Sequence, residues 1–162
     1  MDPLVTRPID GCVVLFDQAT EQDQDGIQTL AAGLSRELRC PVLAMLNHDD
    51  DILWYQLHVD GRLSDHYDSS PGYFDAAAEP AAPAGSDAQK CDAFNTGTMT
   101  AIADILRKSS YDDDGYVFAF ERHHDLVREL GLPACAVGTA YESLERGEYP
   151  DGLSPQDVMK TS

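Results

Sequence analysis

Five histidines and four cysteines are the side chains of this sequence best suited to acid–base, nucleophilic or metal chemistry. His48, His58, His66 and His124 each have an acid within two positions, and His-x-Asp occurs twice, at His58/Asp60 and His66/Asp68. Between these two pairs lies Asp60-Gly61, a strong signal for a two-residue hairpin turn. Such a turn sets His58 opposite Leu63 and His66 opposite Tyr55, which puts the two histidines on opposite faces of a sheet. Zinc needs three or four convergent ligands, so this pair is not expected to build a metal site. Cys12, Cys40, Cys91 and Cys135 contain no C-x-x-C and read as free thiols in a reducing cytoplasm. Cys91, at an expected helix start, is the thiol whose pKa a helix terminus would lower. Nucleophilic chemistry would draw on these thiols or on Ser69, Ser70, Ser109 and Ser110, with His123 and His124 as bases. A carboxylate mechanism would use Asp68 or Glu121. The chain has neither a G-x-S-x-G elbow nor a Gly-rich phosphate loop. A small hydrolase-like enzyme using His/carboxylate or Cys/His chemistry is therefore an alternative reading, and no cofactor is expected.

A second pattern is acidic. Residues 110–121, SYDDDGYVFAFE, place Asp112 and Asp114 at the third and fifth positions of a twelve-residue loop. Gly115 follows at the sixth position, Val117 at the eighth and Glu121 at the twelfth. This stretch resembles the calcium loop of an EF-hand. The resemblance covers these twelve residues and departs from the motif at the first position, where Ser110 replaces a carboxylate. It implies a calcium-binding module with Asp112, Asp114 and Glu121 as side-chain ligands. That is the second alternative.

The third pattern is aromatic. Trp54, Tyr55, Tyr67, Tyr73 and Phe74 gather in one region of sequence. In the hairpin register above, Trp54 faces Tyr67 and Tyr55 lies on the other face. Aromatics on both faces of a central hairpin suit a sheet covered on both sides. If one face is instead a recognition surface, Trp54, Tyr67, Tyr73 and Phe74 form it, and their acidic surroundings suit a basic protein partner.

The elements that must position these groups follow from periodicity. Residues 11–16, GCVVLF, read as a buried strand. Ile27, Leu30, Ala31, Leu34 and Leu38 recur at helical spacing over 21–39, and Pro41 ends that helix. Strands are expected at 42–46, 52–59 and 62–68, forming a three-strand antiparallel meander. Helices are expected at 90–108, 123–130 and 139–146, with strands at 116–120 and 134–137. The region 75–90 is rich in alanine and proline and reads as a mobile loop. Little after Pro150 looks able to pack. The expected fold is α/β: one mixed sheet with the central meander, helices on its faces, and a single domain over 1–162.

Composition bounds the function. The 29 acids against 11 bases leave a net charge of −18, which excludes the basic stripe that nucleic acid or an anionic membrane requires. No apolar run is long enough for a membrane span, and no leader is evident. The first reading is thus a soluble, cytoplasmic, non-enzymatic interaction module that neutralises a basic partner. In charge and size it resembles immunity-type proteins.

Overall fold

The computed structural model describes residues 2–75, 77–79, 81–89, 94, 97–109 and 113–161. The segment ILWYQLHV forms strand β4 (Ile52–Val59), buried at every position except the last. A strand buried on both faces needs a layer on each side. β3 (Val42–His48) and β5 (Arg62–Asp68) pair antiparallel with its two edges. A short β6 (Ala84–Gly85) joins the far side of β5, so the sheet order is β3-β4-β5-β6.

Helix α1 (Gln24–Leu38) covers one face, where Ala31 packs with Ala44, Leu46 and Trp54. Asp23 caps it by accepting the Gly26 N–H, and Arg39 ends it in a left-handed conformation just before Pro41. Helices α2 (Met99–Arg107) and α3 (Ala119–Leu130) cover the other face, where Leu53, Tyr55 and Tyr67 meet Ile102, Leu126 and Leu130. Burying a side chain such as Leu53, fully inaccessible here, contributes roughly 1.5–3 kcal/mol.

A second sheet has the order β2-β1-β7, formed by Leu15–Phe16, Leu4–Thr6 and Val158–Lys160, all antiparallel. Its core holds Leu4, Phe16, Cys135 and Leu153 together with Tyr141 and Leu144 of helix α4 (Tyr141–Glu145). The protein is a mixed α/β fold with the expected meander. Its strands divide between two sheets, each antiparallel throughout, instead of sharing one mixed sheet.

Several local expectations change. Residues 116–120 are not a strand: α3 already begins at Ala119. The cause is a distant cap. Asp50, in the β3–β4 turn, accepts the Phe120 N–H on its carboxylate at 2.6 Å and the Ala119 N–H on its carbonyl at 2.9 Å. Two of the orphan donors of the helix are thereby satisfied, and the helix starts where the turn meets it. The C-terminal tail packs: Leu153 is buried and β7 pairs with β1. Residues 134–136 form a 3-10 turn instead of a strand. Part of the expected mobile loop is anchored, since β6 pairs with β5 and the Asp87 N–H bonds the Asp65 carboxylate. Gly85 allows this approach, because a Cβ there would collide with the His66 carbonyl. Of the expected helix 90–108, residues 90–93, 95 and 96 lie outside the described residues.

The hairpin register also differs. Asp60 and Gly61 form the turn with positive φ at both positions, as a type I′ turn requires. His58 pairs with Leu63, but Leu57 pairs with Asp65. Ser64 is therefore an extra residue, a β-bulge that shifts everything beyond it by one. Tyr67 pairs with Tyr55 rather than Trp54, and His66 pairs with Gln56 rather than Tyr55.

One buried charge ties α2 to α3. Arg122 is 1% exposed. Its guanidinium donates to the carbonyls of Ile105 at 2.6 Å and Lys108 at 2.5 Å, and lies over the rings of Tyr116 and Tyr67. The cation thus sits at the negative end of the α2 dipole, among its unsatisfied carbonyls.

Candidate functional site

The bulge separates the predicted aromatic surface into two parts. Tyr67 is 1% exposed and stacks on Tyr55 beneath α2 and α3, with ring centroids 5.5 Å apart. Burial raises its pKa. Tyr67 therefore belongs to the core. Trp54, Tyr73 and Phe74 come together elsewhere, along the rim of the α1 face. With Leu46 and Ile52 they line a groove of about 330 Å³. Two acids, Asp68 and Asp75, together with Gln24, Ser70 and Gly72, complete its wall. Trp54 is 5% exposed and forms the floor, whereas Tyr73 and Phe74 are 44% and 65% exposed and stand at the mouth.

Local sequence explains why these side chains hold their places. Ser69 is tied to Leu53 in both directions: its N–H bonds the Leu53 carbonyl at 3.0 Å and its hydroxyl accepts the Leu53 N–H at 2.9 Å. The chain then reverses at Pro71-Gly72. Gly72 has φ of +84° and the Tyr73 N–H bonds the Ser70 carbonyl, the placement of proline and glycine expected in a type II turn. This turn delivers Tyr73 and Phe74 to the groove. The Tyr73 hydroxyl donates to Asp51 at 2.5 Å, and that bond is the first cause of its raised pKa. Phe74 packs edge-on against His48, with centroids 5.0 Å apart. The rings of Tyr73 and Phe74 stand at 88° to each other, 5.2 Å apart.

His48 and Asp51 were legible only as parts of a polar turn. Their support for the aromatic wall comes from a contact across more than twenty residues, which no local pattern signals.

Of the other candidate residues, Asp68 and Ser70 also line this groove, whereas Asp114 and Glu121 are engaged elsewhere. Asp114 pairs with Lys108 at 3.1 Å. Glu121 is in the first turn of α3, where its carboxylate accepts the Phe118 N–H at 3.3 Å. Asp112 and Ser110 lie outside the described residues, as does Cys91. Among the described residues no group of three or more His, Cys, Asp or Glu is placed to hold a metal ion.

His58 and His66 do not fall on opposite faces as expected. The bulge pairs His66 with Gln56, two residues from His58 on the same strand, so the pleat sets them on one face. His58 is buried, and its Nε2 meets the Gln56 side-chain oxygen at 2.9 Å. His123 is 4% exposed, and among the described residues neither ring nitrogen has a hydrogen-bond partner. Burial, with a smaller push from His124, lowers its pKa to about 4. His124 is exposed beside Asp125. Cys135 is buried and its thiol pKa is raised by that burial.

No family model matches the chain, and neither a curated protein nor a solved structure does. No helix among the described residues is long and apolar enough to cross a membrane.

Proposed function

We propose that this protein is a non-enzymatic binding module that engages a basic protein partner, and that the groove at Trp54, Tyr73 and Phe74 receives a cationic side chain of that partner. The observation that carries this reading is the convergence of three aromatic rings and two carboxylates, Asp68 and Asp75, on one concavity. Aromatic faces attract cations, more strongly as water is excluded. Carboxylates at the rim add a field of the same preference, and a net charge of −18 speeds the encounter with a basic surface.

Trp54 is the single tryptophan of the chain, so fluorescence excited selectively at tryptophan over the seven tyrosines reports on the groove. A lysine-rich synthetic peptide titrated into the full chain is expected to give a saturable change in that signal. A glutamate-rich peptide of equal length should give none. The change should weaken with salt and be lost in Phe74→Ala. No saturable change, or identical titrations for the wild type and Phe74→Ala, would overturn the reading.

A further inference from the structure

The groove also has features that bear on which cation it takes. We propose that it reads a methylated lysine on the basic partner, an inference that rests on the cation-binding reading above and specifies it.

The argument starts from what each cation needs. A guanidinium is best satisfied by a carboxylate offering two oxygens side by side. A primary ammonium is a compact, strongly hydrated charge with three donors to place. The groove offers each only part of what it needs. Asp68 already holds the Ser70 N–H on one oxygen at 2.9 Å, and Asp75 holds the Ala77 N–H at 3.0 Å. Asp51 accepts the Tyr73 hydroxyl on one oxygen. Each of the three thus has one oxygen already accepting a hydrogen bond. The rest of the lining is chiefly ring and hydrocarbon, from Trp54, Tyr73, Phe74, Leu46 and Ile52, with Gln24, Ser70 and Gly72 beside them.

A methylated ammonium matches that surface. Each methyl group removes one N–H donor that needs a partner, and spreads the charge over a larger apolar shell. Cages of aromatic rings recognise such groups through the ring quadrupole. Tyr73 and Phe74 meet edge to face at 88° and line the groove together with Trp54. Both wall residues are held before any ligand arrives, Tyr73 by Asp51 and Phe74 by His48. Such preorganisation lowers the ordering cost of binding. At about 330 Å³ the groove lies at the small end of ligand pockets, roughly 300–1,000 Å³, which suits one head group and part of its stem.

The test compares two synthetic peptides that differ only in carrying lysine or trimethyllysine at one position, titrated into the full chain and followed by Trp54 fluorescence and by calorimetry. Tetramethylammonium chloride serves as the free-ion arm. The trimethyllysine peptide is expected to bind about tenfold more tightly than its lysine twin, and more tightly than tetramethylammonium. Phe74→Leu keeps an apolar side chain of similar reach without a π face. It should erase the tenfold difference while leaving the circular dichroism spectrum unchanged.

Equal affinity for the two peptides would overturn this inference and leave the cation-binding reading standing. Failure of both peptides to bind would overturn both. A full tenfold preference retained in Phe74→Leu would overturn the aromatic-cage argument. Tetramethylammonium binding as tightly as the trimethyllysine peptide would overturn the choice of a protein side chain in favour of a small free cation.

Discussion

Tyr73 donates its hydroxyl to Asp51 across 2.5 Å, joining the turn that follows β5 to the turn between β3 and β4. Both turns border the groove, so this one bond holds an aromatic wall against the sheet. Tyr73→Phe removes the bond and keeps the ring. It should loosen the wall without unfolding the chain, because the tyrosine is 44% exposed. The expected result is several-fold weaker binding of a basic peptide with a melting temperature close to that of the wild type. Unchanged affinity would show that the bond does not position the ring.

Asp50 is expected to matter for stability. Its carboxylate and carbonyl both receive N–H groups from the first turn of α3. Asp50→Ala removes the carboxylate half and should cost about 1 kcal/mol, as loss of a helix cap does. Asp50→Asn keeps an acceptor and should cost less. Urea denaturation of the three proteins tests the order.

The same contact explains what was legible in the sequence. The segment 52–59 is an apolar, aromatic-rich run of strand length, and the Asp60-Gly61 turn is local chemistry, so β4, β5 and their hairpin were readable. The bulge at Ser64 was not, because an extra residue leaves the apolar pattern of either strand intact. It moved Tyr67 from the expected surface into the core. Residues 116–120 read as a strand because their cap lies about seventy residues away in sequence, at Asp50. Trp54, Tyr73 and Phe74 could be grouped because they gather in one region of sequence, and they line one groove. The supports at His48 and Asp51 were not readable, since a ring contact and a hydroxyl bond leave no periodic trace. The pairing of the two chain ends, β1 with β7, was missed for the same reason: each is a three-residue strand with no turn between them.

His123 should make stability fall in mild acid. Its pKa is about 4 in the folded protein against 6.5 as the ordinary value, chiefly because burial disfavours the charged ring. Between those values the unfolded chain binds a proton that the folded chain does not. Stability is therefore lost as the pH falls from about 6.5 to about 4, by about 3 kcal/mol from this group. His123→Leu should flatten that part of the profile. Wild type and variant with parallel stability curves between pH 7 and pH 4 would contradict it.

Arg122 should be costly to replace. Arg122→Met keeps much of the packing but strips the Ile105 and Lys108 carbonyls of their donor in a buried setting. The expected loss is about 3 kcal/mol. Arg122→Lys should recover little of it, since one ammonium cannot span carbonyls that the guanidinium bridges. Denaturant midpoints for the two variants check this, and near-wild-type values would refute the capping role.

Backbone and indole amide shifts, followed by NMR as a lysine-rich peptide is added to the isotope-labelled full chain, test most directly whether the groove or the general acidity does the binding. A groove predicts saturable shifts concentrated at the Trp54 indole N–H and the amides of 68–75, with little change on the α2–α3 face. Shifts spread evenly over the acidic turns, with Trp54 unmoved, would contradict the account.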